Sequence, residues 1–324
     1  MSTLTVTEAS GPGELLLASS PHLKGRWTTK KVMWFVVASL VPSLIAAALF
    51  FGPMQLLIPL VAVAVCVGTE AALQRLRRQP VTVSDGSAVI TGLLLGLVLP
   101  PNFSLVFTAL GAVFSIAIGK VLFGGLGYNI FNPALVGRAF LQAAFPVAIT
   151  TWVAPHFAVD AVTSATPLAA FKFDHIATPL IPLLVGNVGG SLGETSVIAV
   201  LLGGLALCVT RVANWRIPAS MILSMAVFSG IFWMLDAAKY PDPVFQLTAG
   251  GFLFGAFFMA TDMVTSPLTS RGMWIFGVGI SLTLVLIRLF GGLPEGVMYS
   301  ILFMNAFVPL INRYTRPRIF GEAS

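Results

Sequence analysis

The sequence predicts an all-α polytopic membrane protein of about ten transmembrane helices, arranged as two inverted five-helix repeats with interrupted helices. Three observations point there. The 324-residue chain is 57% hydrophobic and only 9% charged, with a mean hydropathy of +0.94, whereas soluble proteins carry about a quarter charged residues. Its apolar runs are long and continuous, without the alternation of a barrel strand, so helices must satisfy the backbone hydrogen bonds in lipid. Short motifs also recur between its two halves.

At about 20 apolar residues per span, the candidates are 32–52, 54–73, 87–100, 103–122, 129–149, 194–210, 217–235, 244–260, 273–290 and 296–312. The third is short and ends in Pro100-Pro101. The fifth opens with Asn129 and carries Asn132, Pro133 and Arg138. Both are expected to be interrupted or sheltered by protein. The divisions that follow are a cytoplasmic segment 1–31, a first half 32–150, an external loop 151–193, a second half 194–312 and a cytoplasmic tail 313–324. Residues 1–31 are polar and are not expected to act as a signal peptide.

Charge fixes the expected orientation. With the N-terminus inside, fourteen of the 18 Lys and Arg residues fall in cytoplasmic segments, and only Lys172 and Lys239 lie outside. The positive-inside rule therefore places both termini in the cytoplasm. The net charge of +6 is a topology signal, and no nucleic-acid partner is expected.

The repeat rests on two matches. Phe123-Gly-Gly-Leu126 echoes Phe290-Gly-Gly-Leu293, and Gly92 and Gly96 echo Gly251 and Gly255. The offset grows from 159 to 167 residues between them, which places an eight-residue gain near "ATDMVTSPLTS". Five spans per half is an odd number, so the second half is inverted. Such folds build sites from broken helices near the midplane.

Polar residues gather in three segments. "GYNIFNPALVGRAF" holds Asn129, Asn132 and Arg138, which are costly in hydrocarbon unless they face protein, water or an anion. "FMATDMVTSPLTSRG" holds Asp262, Thr265 and Arg271, and fits an ion site, a helix cap or a phosphate site. "GNVGGSLGETS" is a glycine-rich turn before Glu194 that lacks the Gly-Lys-Ser/Thr of a Walker loop. Asp262, Glu70 and Asp85 are carboxylates near membrane boundaries and are the candidates for an ion pathway. Cys66 and Cys208 lie in apolar runs, and two thiols cannot by themselves hold an iron–sulfur cluster. His22, His156 and His175 are scattered, so neither a metal site nor a catalytic residue is expected.

The stretch "HFAVDAVTSATPLAAF" (156–171) sits in the external loop. By residue type alone it reads as turns built on Asp160 and Thr163. A small-solute channel or transporter with inverted repeats fits these features equally well.

The motifs together go further. Asp160, Ser164, Ala165 and Thr166, followed by Pro167 and Leu168, resemble the sequence at which a flavin transferase joins FMN to threonine. "NIFNPALVGRAF", "DAVTSATPLAAF" and "FMATDMVTSPLT", in this order, resemble the RnfD/NqrB family of ion-translocating redox complexes. The chain lacks the longer N-terminal region of the Na+-pumping NADH:quinone reductase B subunit and looks more like the D subunits of Rnf complexes. Such motifs often have Gly where this chain has Ser164.

The resemblance implies a membrane subunit of a ferredoxin:NAD oxidoreductase in a bacterial inner membrane. It would belong to a redox-driven Na+ or H+ translocase without being catalytic alone. It also implies covalent FMN, linked by a phosphodiester to Thr166 on the external side, with Asp160 serving recognition by the transferase. Such a tether replaces equilibrium binding with a high effective concentration. The implied partners are the other subunits of the complex, including an external FMN-bearing one, besides the flavin transferase and membrane lipid. A second, non-covalent flavin, riboflavin, would lie near 127–138 and 258–271, with Asn132, Arg138, Thr265 and Arg271 as candidate contacts. The NADH:quinone reductase B-type subunit remains the alternative within the family.

Overall fold

A computed structural model describes residues 28–155, 165–237 and 239–317. Asp160 and Ser164, from the expected attachment motif, lie outside the described residues. Among the described residues all regular structure is helical. In the first half the helices are α1 (Thr29–Ser39), α2 (Val41–Phe51), α3 (Leu57–Leu76), α4 (Ser87–Leu97), α5 (Leu105–Ile116), α6 (Pro133–Ala144) and α7 (Pro146–Thr150). Next come two short helices, α8 (Pro167–Asp174) and α9 (Leu180–Val185). The second half holds α10 (Val197–Val209), α11 (Arg216–Leu235), α12 (Pro243–Thr248), α13 (Phe252–Phe254), α14 (Ser270–Phe290) and α15 (Val297–Tyr314).

Among the described residues, four helices are long and apolar enough to cross a membrane: Thr29–Phe51, which joins α1 and α2, Pro53–Leu76, Arg216–Leu235 and Ser270–Phe290. Large apolar side chains such as Leu49, Leu60, Leu202, Val209 and Leu223 are exposed on helix surfaces. In a soluble protein such surfaces would aggregate; here they form the lipid-facing side of a polytopic membrane protein. The other expected spans carry shorter or broken helices.

The breaks follow local chemistry. Pro100 and Pro101 have no N–H to extend α4. The freed carbonyls of Leu97 and Leu99 instead accept from Gly193 (2.7 Å) and Leu192 (3.1 Å), on the glycine-rich turn before α10. Asn132 starts α6, where its side chain accepts from Ala134 N at 3.0 Å and Pro133 follows at the first position. This is a strong start signal, because the missing proline N–H would be unpaired there anyway. α13 lasts three residues and continues as a π-helical stretch, Gly255–Met259; α5 continues likewise into Ala117–Val121. Such widened turns recur at functional sites.

Neighbouring helices pack pairwise. α3 lies on α5 and α11 on α14, while α5 lies on α6 and α14 on α15. Two glycines bring α4 onto α3: a Cβ on Gly92 would stand 2.5 Å from Val63 Cα, and one on Gly96 would strike the Pro59 backbone. Helices meeting backbone to backbone gain dispersion contacts that lipid tails cannot replace.

Candidate functional site

Buried charge is expensive in a membrane and persists only when paired. The described residues contain two such clusters, each beside a cavity.

The first cavity, of about 300 Å³, lies beside α8. Thr166 and Ala165 line it together with Arg138, Glu194 and Glu295. Arg138 Nη1 donates to Glu194 Oε1 at 3.2 Å and Nη2 to Glu295 Oε2 at 3.3 Å. Glu295 Oε1 also accepts from Gly251 N at 2.7 Å, just ahead of the broken helix α13. Arg288 is close by, buried and donating to Gln246 O (2.7 Å) and Oε1 (2.9 Å) and to Ala249 O (3.1 Å). Three segments distant in sequence thus converge on one guanidinium. Trp152, Phe173 and Tyr299 supply aromatic surface to the same cavity.

Thr166 is the N-cap of α8, with its Oγ1 accepting from Ala169 N at 3.2 Å and Pro167 following. Pro167 has no N–H, and the first-turn donors of Ala169 and Ala170 are taken by Thr166 itself, through its Oγ1 and its carbonyl. The buried Thr195 Oγ1 has no hydrogen-bond partner, and Thr195 lines the same cavity. The cavity wall thus combines the Thr166 hydroxyl, three aromatic rings, the Arg138 ion pairs and the unpaired Thr195 hydroxyl. The volume is at the low end of small-molecule sites.

The second cavity, of about 90 Å³, is lined by Ser87, Lys120, Asn129, Asn132 and Asp262. Lys120 Nζ lies 2.7 Å and 2.8 Å from the two Glu70 oxygens and 2.6 Å from Ser87 Oγ. Ser87 donates from its N (2.8 Å) and its Oγ (2.7 Å) to Asp85 Oδ1, just ahead of α4. Glu70 and Asp85 are therefore ends of one hydrogen-bonded chain, Glu70–Lys120–Ser87–Asp85. Asp262 stands elsewhere in the wall, accepting from Val264 N (3.3 Å) and Thr265 Oγ1 (3.1 Å).

The structure splits one expected cluster. Asn132 lies at the second cavity and Arg138 at the first, six residues and about 9 Å apart along α6 at 1.5 Å per residue. Thr265 is buried against Asp262, but Arg271 is exposed at the start of α14 and joins neither cavity wall. Residue-by-residue reading passed over Glu194 and Glu295 as partners of Arg138, and Lys120 as the partner of Glu70. Their one sequence signal was charge inside or beside an apolar run.

A model of the NQR2, RnfD, RnfE family matches residues 16–321. The chain is 43% identical over 316 residues to the D subunit of the proton-translocating ferredoxin:NAD(+) oxidoreductase complex of Clostridium ljungdahlii, covering 94% of this chain and 96% of that one. It is 42% identical to the D subunit of the Na(+)-translocating ferredoxin:NAD(+) oxidoreductase complex of Acetobacterium woodii, over 95% of each chain. It is 36% identical to the D subunit of the ion-translocating oxidoreductase complex of Yersinia pseudotuberculosis, over 95% of this chain and 99% of that one. Matched across nearly its whole length, the chain belongs to the NQR2, RnfD, RnfE family.

Proposed function

We propose that this chain is the D-type membrane subunit of an Rnf-type ferredoxin:NAD oxidoreductase complex. In this reading it carries FMN as a phosphodiester on Thr166 and relays electrons coupled to ion transport. The observation that carries the flavin reading is the position of Thr166, lining a cavity whose wall also holds the Arg138–Glu194–Glu295 cluster. When bound, the flavin supplies the redox chemistry. The chain's own residues hold and orient it: Trp152, Phe173 and Tyr299 offer ring contacts.

The finer topology belongs to the same proposal. Ten spans in two inverted halves, with both termini cytoplasmic, put the Thr166 cavity on the external side, facing a flavin-bearing partner subunit. The second cavity then lies toward the cytoplasmic side between segments 129–133 and 258–264, and a non-covalent riboflavin there requires it to widen well beyond its about 90 Å³. It is also where Asp262 and the Glu70–Asp85 chain would meet a coupling ion. The Clostridium and Acetobacterium relatives name different ions at nearly equal identity, so ion choice rests on local chemistry around these carboxylates rather than on overall likeness. The names of the relatives favour this reading over a solute channel or a quinone reductase subunit.

The test is a denaturing gel of the complex under ultraviolet light, from a host with an active flavin transferase. A fluorescent band at the size of this subunit is expected, and Thr166→Ala removes it. A dark wild-type band overturns the flavin assignment. Assays with ferredoxin plus NAD against NADH plus quinone separate the two redox readings.

A further inference from the structure

The helix that begins at Thr166 is only eight residues long, Pro167–Asp174. A helix of two turns is not stable by itself in water, so tertiary contacts must hold it. Two side chains on one face, four residues apart, supply them. Leu168 is buried against Leu183, Phe245 and Ala249, and a Cβ on Gly250 would come within 2.7 Å of its Cδ1. Lys172 lies one turn further on. Its Nζ donates to Arg288 O at 2.8 Å, Gly291 O at 2.6 Å and Leu293 O at 3.0 Å.

Those carbonyls are at and just beyond the C-terminal end of α14, which lacks intrahelical partners and carries the negative end of the helix dipole. An ammonium has three donors, and here all three are used. Arg288, whose carbonyl is one of the acceptors, reaches from the same turn to Gln246 and Ala249. The C-terminal end of α14 is thus fastened to α8 on one side and to the α12–α13 segment on the other.

We propose that Lys172 is a positioning residue for the attachment site. By strapping α8 to the end of α14, it holds a group on Thr166 still over the Arg138 cluster, so that the group does not swing on a loose loop. This rests on the reading that Thr166 carries the flavin.

The test uses the purified whole complex with Lys172→Met and Lys172→Arg. Amide hydrogen exchange over 168–175, visible circular dichroism of the bound flavin and the fluorescent gel band are read on each. In Lys172→Met, exchange is expected to rise about tenfold or more, as for a segment released to local opening. The visible dichroism should change while the gel band persists. Lys172→Arg, which keeps the charge and several donors, should restore both signals. Unchanged exchange in Lys172→Met overturns the strap, as does a rise that arginine fails to reverse. Faster exchange with unaltered dichroism overturns the positioning role. If Lys172→Met does not assemble, Lys172→Gln is read in the same way, with a smaller expected rise. A dark wild-type band overturns the underlying flavin assignment alone, because the exchange measurement does not depend on a flavin.

Discussion

The backbone N–H of Asn132 donates to the side-chain carbonyl of Asn305 at 3.3 Å, across 173 residues of sequence. Asn132 Nδ2 reaches on to Met259 O (3.2 Å) and Asn305 Nδ2 to Thr265 O (3.0 Å). Two buried asparagines therefore stitch the break before α6 to the break after α13. Each satisfies backbone groups that an interrupted helix leaves open.

This stitch predicts coupled mutational effects. Asn132→Ala and Asn305→Ala should each destabilise the protein by about 1–3 kcal/mol, the cost of leaving buried polar groups unpaired. Their double variant should fall short of the sum, because the two residues share a network. Thermal unfolding of the complex in detergent measures this, and strict additivity would count against the stitch.

Arg138 is held between two carboxylates. Arg138→Met should cost about 3–5 kcal/mol by leaving buried carboxylates without their cation. Adding Glu194→Gln should recover part of that loss. The readout is again thermal unfolding, with the amount of assembled complex as a check.

Asp262 is predicted to act on coupling more than on electron flow. In reconstituted vesicles Asp262→Asn should lower ion uptake per electron transferred several-fold, while ferredoxin:NAD turnover continues. Measurement with and without a sodium ionophore also identifies the ion. Equal loss of uptake and turnover would make Asp262 a structural residue.

Gly92 and Gly96 set the depth of α4 against α3. Gly92→Val should destabilise the protein by about 1–3 kcal/mol or more, since the obstacle is backbone and cannot move aside cheaply. Loss of assembled complex on a native gel is the expected sign. Gly68, whose added Cβ would meet nothing within 4 Å, serves as the control position.

Much of this protein is written locally. Composition and run length determine a helical membrane protein, because lipid offers the backbone no other partner. Pro100-Pro101 and Asn132-Pro133 end and start helices where they stand, since prolines lack an N–H and Asn132 supplies a cap. The family was legible from three short segments in order. What sequence could not decide was which buried charges meet. Asn132 and Arg138 look like one cluster in the sequence, yet the 1.5 Å rise of α6 carries them to different cavities. Arg138 finds Glu194 and Glu295 across 56 and 157 residues, and Lys120 finds Glu70 across 50. Such pairings follow no local rule. They arise because burying a lone charge costs so much that the helices pack to bring opposite charges together, and only the tertiary structure shows which ones.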